Sequence, residues 1–393
     1  MKQYEVKNVP RYFEPHVNDC FANAYATVLS YMGNNPNFIL TDYLNFMYDE
    51  QTEHIGINFF FRATPTVEFS EEELNSSLEL AYLPATSMFN KTSPIDEVTD
   101  KDKVQINMYI HEDQDIAFTR LKERIDENKP VIVAVDLFYM HFHRAYQREH
   151  GLHAIIVTGY DEEKRTLKII DKYKLSSSDF DGEISMDEMS QSRLSECPLN
   201  NPMVGEYKRE IRNLWMEIDI DPDFKMNVER IYSIILESCK RMKGQREVLG
   251  HECGLNRMEA FRKDLLLKKE SFMDRKLDER ETYLFKTYYN SAFKSISRSR
   301  MRFKVFLEES NLAEKEDLGE VLEQLENALK RWDICANLSL KLGIKKSIKL
   351  VDDIVRQLSS IIDIEGEIIN KLTDISLTRD LVTVSKNIKD QEM

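Results

Sequence analysis

From about residue 226 to residue 375 the chain carries no proline and only six glycines, and no other feature constrains its fold as much. Glycine and proline are the strongest local interrupters of regular structure. Where they are missing, helices can run long. The stretches "VERIYSIILESCKRM", "YLFKTYYNSAFKSI" and "SIKLVDDIVRQLSSIIDIEGEIINKL" place apolar residues three and four apart. That is the spacing of a helix that buries one stripe, and several such helices in succession predict a helical domain or bundle. The tail from about 378 is polar and is expected to fray.

Up to about residue 222 the pattern is mixed. "FANAYATVLSYMG" has apolar residues at helical spacing and ends at Gly33, a helix stop. "HIGINFFFRA" is a short apolar run, read as a buried strand or loop. "DQDIAFTRLKERIDENKP" reads as an amphipathic helix with Ile116, Leu121 and Ile125 inward, stopped before Pro130. "VIVAVDLF" (131–138), "HAIIVTGYD" (153–161) and "TLKIIDKY" (166–173) are β-branched, apolar strand signals, the last two close enough to form a hairpin around "EEKR". "NLWMEIDI" (213–220) is a fourth. No repeat of fixed period and no low-complexity tract is present.

A chain of 393 residues has room for two domains with separate cores. The change of texture divides it into residues 1–222, α+β in class, and an all-α domain, 223–393. No apolar run approaches the roughly 20 residues that cross a bilayer, and the start lacks the apolar core of a secretory signal. Five cysteines at wide, irregular spacing fit a reducing cytoplasm better than a disulfide framework. The formal charge is −15, which argues against generic nucleic-acid binding, since neutralising phosphates needs a basic face. No glycine-rich phosphate loop supports nucleotide chemistry.

The chemistry gathers around Cys20. A thiol is a strong nucleophile only as thiolate, and a positive neighbour or a helix N-terminus favours that form. Cys20 heads the predicted 20–32 helix. His153 opens one strand of the expected hairpin and Asp171 closes the other, so antiparallel pairing brings them to the same end of the ladder. A carboxylate there can fix the tautomer and orientation of the imidazole. Taken alone, Cys20 reads as a core residue, because cysteine is among the most buried types. His153 could equally be a satisfied core histidine and Asp171 a strand-end turn residue. The ordered set of three carries the nucleophile reading.

The succession "DC" with its helix, "GLHAIIVTGYD" and "LKIIDKY" resembles the papain-like cysteine peptidase superfamily over roughly residues 10 to 220. Within it the chain is most similar to the C39-like group and the butirosin biosynthesis protein H family. The resemblance implies a papain-like fold with Cys20 as nucleophile, His153 as base and Asp171 as orienting acid. It further implies acyl transfer in specialised metabolism: Cys20 takes an acyl group from the phosphopantetheine of an acyl or peptidyl carrier protein and passes it to a small-molecule amine. No bound cofactor is then needed. Papain-like peptidases carry a glutamine six residues before the cysteine to stabilise the oxyanion. Here Glu14 stands there, and its charge would repel a developing negative oxygen. That leaves Asn18 or the Cys20 backbone N–H for the role. The rivals are a hydrolase on the same triad and a non-catalytic binding protein on a degenerate protease fold.

Two further clusters stand out. "HFHRAYQREHGLH" (141–153) holds four of the eight histidines. Read as a strand it would put His141 and His143 on one face, yet no cysteine pair or carboxylate lies at ligand spacing, and the stretch reads as an exposed loop beside the site rather than a metal centre. "KSISRSRMRFK" (294–304) is the most basic segment. It reads first as a solvated helix face. As a docking site for an acidic carrier, Lys294, Arg298, Arg300, Arg302 and Lys304 would be its contacts. Trp215 and Trp332 are expected in cores. Long amphipathic helices leave a homodimer open; no membrane partner is expected.

Overall fold

The computed structural model describes residues 3–12, 14, 20–41, 43–51, 53–56, 104–173, 178–201, 205–208, 210–248, 251–272, 276–310, 312, 315–347 and 349–391. The continuation of "HIGINFFFRA" beyond Gly56 lies outside them.

Seven strands form one antiparallel sheet: β1 (Gln3–Glu5), β2 (Val104–Tyr109), β3 (Val131–Asp136), β4 (Leu152–Asp161), β5 (Thr166–Tyr173), β6 (Ser178–Ser185) and β7 (Trp215–Ile220). Their order is β2–β7–β3–β4–β5–β6. β4 pairs with β3 through its first half, Val135 opposite His153 and Val131 opposite Val157. Along its last three residues β1 takes the place of β3. The exchange needs Gly159, since a Cβ there would lie 2.7 Å from the Tyr4 carbonyl oxygen.

β3 is buried along its whole length and β4 along all but its ends. That is why both read as unbroken apolar runs rather than as alternation. On one face lies α2 (Gln114–Asp126), capped by the Asp113 carboxylate on the N–H groups of Asp115 and Ile116. It contributes Ala117, Leu121 and Ile125 to a core with Val133, Val135, Ile155, Val157 and Ile169. Leu121 and Ile125 point inward as expected. Ile116 does not: it is 53 % exposed, because the buried stripe steps by four through Ala117. On the other face α1 (Cys20–Tyr31) packs with Ile132, Ala134, Ala154, Ile156 and Met216. α1 ends as the sequence indicates, with Gly33 at φ +80°.

That second core continues into the helices. α3 (Met186–Arg193) precedes β7, and α4 (Val228–Met242), α5 (Leu255–Phe272), α6 (Asn290–Glu309), α7 (Lys315–Lys345) and α8 (Lys349–Gln391) follow it. The polar tail from 378 continues α8 to Gln391. Among the described residues no helix is long and apolar enough to cross a membrane. A π-helical turn, Leu284–Tyr289, leads into α6. α7 crosses this turn so closely that a Cβ on Gly343 would lie 2.7 Å from the Lys286 Cα.

The segment from Pro36 to Gly56 packs into these helices. Phe46 stacks on Trp332 with ring centroids 5.9 Å apart, and the Leu44 N–H donates to Ser238 Oγ at 3.1 Å. α6 is therefore enclosed, and its basic run is not a solvated face. Arg300 is fully buried: its Nε and Nη2 donate to Glu365 at 3.0 and 2.8 Å, and Nη1 donates to the Asn45 carbonyl at 2.7 Å. Arg302 is also buried, with Nη1 3.4 Å from the Leu40 carbonyl. Lys294 is exposed, Arg298 is half-buried, and Lys304 bonds Glu308 at 2.9 Å. Arg300 and Arg302, being buried, are not presented to a partner, so no docking surface consists of all five.

His54 lies at this junction, 3 % exposed, its ring edge-on to Tyr288 at 4.8 Å. Burial, the largest influence, lowers its pKa to about 4. The unfolded chain takes up this proton below about pH 6.5, whereas the folded chain does so only below about 4. Stability therefore falls with pH across that window, by about 2 kcal/mol at pH 5 from this group. His54→Phe is expected to flatten the difference between urea midpoints at pH 7 and pH 5. An unchanged difference would show that His54 is not the group responsible.

Candidate active site

α1 is held rigidly because nearly all of it is inside. Phe21 to Leu29 are buried, and the alanines at 22, 24 and 26 let the helix lie close to the sheet. Asn23 Nδ2 donates to the Tyr12 carbonyl at 3.0 Å, and Tyr12 Oη donates to Asn37 Oδ1 at 3.2 Å. These bonds tie Tyr12 to α1 and to Asn37. Cys20 is the first residue of α1 and half-buried. The other four cysteines are buried and outside any disulfide. Burial raises the pKa of Cys239, Cys253 and Cys335, that of Cys253 to about 12.

His153 and Asp171 meet across β4 and β5. The register sets Ile156 opposite Ile170, so His153 and Asp171 are diagonal neighbours on one face, within reach of each other. His153 Nε2–H donates to Asp171 Oδ2 at 2.9 Å, and both residues are 3 % exposed. The Cys20 sulfur is a hydrogen-bonding neighbour of the same ring. With Nε2 committed to Asp171, Nδ1 is the nitrogen left for it. Burial is the largest influence on His153 and favours the neutral ring. The negative charges of Asp171 and Cys20 and their hydrogen bonds outweigh it, and the pKa rises to about 10. A charged imidazole beside the sulfur is the positive neighbour that thiolate chemistry requires.

The loop from Leu137 to Gly151 closes over this end of the sheet. It is a series of tight turns rather than a strand, and it is partly internal: Met140, His143 and Ala145 are buried. Asp136, fully buried at the end of β3, ties both ends of the loop. Its Oδ1 accepts the N–H groups of Phe138 and Gly151 at 3.1 and 3.0 Å. Its Oδ2 accepts the Ser195 hydroxyl at 2.6 Å and meets His150 Nδ1 at 2.7 Å. Phe142 stacks on Phe180 of β6, centroids 4.2 Å apart. His141 pairs with Glu188 at 2.7 Å. The loop's histidines thus have separate neighbours, and among the described residues no group of three or more His, Cys, Asp or Glu is placed to hold a metal ion.

Asp136 and Ser195 escape the sequence reading, and His143, read as part of an exposed loop, is buried. For Asp136 a signal exists, an aspartate whose carboxylate caps the backbone two residues on. For Ser195 the partner, Asp136, is distant in sequence. Asn18 lies outside the described residues; Glu14 is half-buried. A separate cleft beside α2, lined by Gln114, Phe118, Leu167, Met189 and Arg193, contains none of the three converging residues.

A half-buried cysteine at a helix head, an imidazole beside it and a carboxylate behind the imidazole define a class of site, one able to activate a thiol and orient its base. Residues 19–172 match the family model for butirosin biosynthesis protein H, N-terminal. The resemblance to that family holds for this stretch, which contains Cys20, His153 and Asp171 and excludes the helices from Val228 onward. The description of that family refers to the biosynthesis of butirosin. No curated protein matches the chain.

Proposed function

We propose that this chain is a cysteine-dependent acyltransferase of specialised-metabolite biosynthesis, acting in the cytoplasm. The observation that carries the reading is the Cys20 sulfur lying against an imidazole whose Nε2–H is held by Asp171 at 2.9 Å. The thiolate attacks the carbonyl carbon of a carrier-bound phosphopantetheine thioester, and the tetrahedral adduct expels the carrier thiol, which takes its proton from His153. A small-molecule amine then attacks the Cys20 thioester, His153 accepts the amine proton, and the Cys20 thiolate leaves. No metal or bound cofactor takes part in these steps. The proposal includes a papain-like fold for the catalytic domain, 1–222, and a helical domain, 223–393. Support comes from the order helix, histidine strand, acid strand, and from the family matched by residues 19–172. Docking of the carrier on α6 is not part of the proposal.

A second reading, hydrolysis on the same three residues, is favoured by the partial exposure of Cys20, which lets water compete with the amine. Two measurements test the proposal. Intact-mass analysis after brief reaction with iodoacetamide at pH 6.5 is expected to show one fast adduct, absent in Cys20→Ala and slowed in His153→Ala. Slow labelling spread over several cysteines would instead favour a binding protein without catalysis. With an acyl-carrier thioester donor, product amide should form only when amine is added. Free acid released at the same rate with and without amine would assign the site to a hydrolase.

A further inference from the structure

His143, in the loop between β3 and β4, has a feature that the three converging residues do not use. It is 6 % exposed, and its ring centroid lies 6.1 Å from that of His153. Its Nδ1 accepts the Ala145 backbone N–H at 3.1 Å. A nitrogen that accepts carries no proton, so the neutral ring bears its hydrogen on Nε2. That Nε2 is buried and has no acceptor among the described residues. A stranded buried donor is costly, yet the Asp136 network holds the loop that imposes the cost. Burial first, and then the positive charge of His153, lower the pKa of His143. The ring therefore stays neutral near pH 7, a donor that adds no second cation beside His153.

The sequence sharpens the question of what this donor serves. On the resemblance to papain-like enzymes, Glu14 stands where their oxyanion glutamine would be expected, and a carboxylate repels the charge that develops there. We propose that His143 supplies the missing hydrogen bond: its Nε2–H donates to the carbonyl oxygen of the acyl group that Cys20 attacks. The ligand class is an acyl thioester or ester. As the sulfur–carbon bond forms, the carbonyl π pair moves onto oxygen and this hydrogen bond strengthens; as the adduct collapses, the C=O bond returns and the leaving group departs. The proposal rests on the reading of Cys20 as nucleophile.

Two reagents separate the effects. Iodoacetamide alkylates sulfur by displacing iodide from a saturated carbon, so it needs the thiolate but builds no oxyanion. p-Nitrophenyl acetate acylates through a tetrahedral oxyanion. In His143→Phe, acylation of Cys20 is expected to fall about 10²–10³-fold with alkylation unchanged. His143→Gln, which restores an N–H donor, should recover part of the loss. Equal slowing of both reactions would make His143 a support for the dyad or the fold and overturn the proposal, as would unchanged acylation. If His143→Phe fails to fold, His143→Asn, polar but too short to reach, takes its place in the comparison. If wild-type Cys20 is alkylated no faster than the buried thiols, the nucleophile reading fails first and this proposal falls with it. That outcome is recognisable before any variant is made.

Discussion

His153→Ala is expected to slow acylation of Cys20 by a thioester or activated ester about 10²–10⁴-fold, the range over which a positioned general acid–base acts. The loss has two origins. In the proposed mechanism the imidazole is both the cation beside the sulfur and the donor of the proton to the departing thiol. Asp171→Asn separates them. The amide oxygen can still accept the Nε2–H bond now made at 2.9 Å, so ring orientation survives. The carboxylate charge that helps hold His153 protonated up to about pH 10 does not survive. The expected result is modest slowing at neutral pH with the alkaline limb of the rate profile moved to lower pH. Loss of that charge lowers the pKa of His153, so the ring gives up its proton sooner as pH rises. A pH–rate profile for both variants checks this. An alkaline limb that stays in place in Asp171→Asn would mean that the carboxylate acts only through geometry.

The parts of this molecule that are legible in its sequence are those where one element's own composition decides its fate. β3, β4, β5 and β7 stand out because β-branched, apolar runs must be covered. β6 does not: "SDFDGEIS" is rich in acids, as suits an edge strand that must not recruit further strands, and its Asp179 and Asp181 instead meet Arg11 at 2.9 and 3.1 Å. β1 is three residues long, too short for any periodicity. At the site, the meeting of His153 with Asp171 follows from a hairpin closed by a four-residue turn, which is local geometry. The Asp136 carboxylate that caps Phe138 is a local signal, but its bond to Ser195, 59 residues on, and the burial of His143 are encoded by no spacing in the loop. Arg300 is the plainest case. A run of alternating basic residues looks the same whether it faces water or a glutamate 65 residues away.

Glu365→Ala is expected to destabilise the helical half by about 3–5 kcal/mol, the cost of leaving a buried charge without its counter-ion. Arg300 would keep only the Asn45 carbonyl and the face of Trp332, 6.0 Å from its guanidinium, and the Trp332 Nε1–H would lose its acceptor at 2.8 Å. A hydrophobic pair of similar volume should restore most of the loss, since the ion pair itself gains little over well-packed apolar groups; Arg300→Met with Glu365→Leu makes that comparison. Cys335 provides the readout. It is fully buried on α7, three residues from Trp332, and burial holds its thiol in the unreactive form. It can react only when the core opens, so a loss of this size should raise its rate with a thiol reagent under native conditions about 10²–10⁴-fold. The double variant should label at nearly the wild-type rate. If Glu365→Ala leaves the labelling rate of Cys335 unchanged, the Arg300–Glu365 pair is not what holds α6, α7 and α8 together, and the apolar contacts of Phe293, Phe303 and Trp332 carry that core alone.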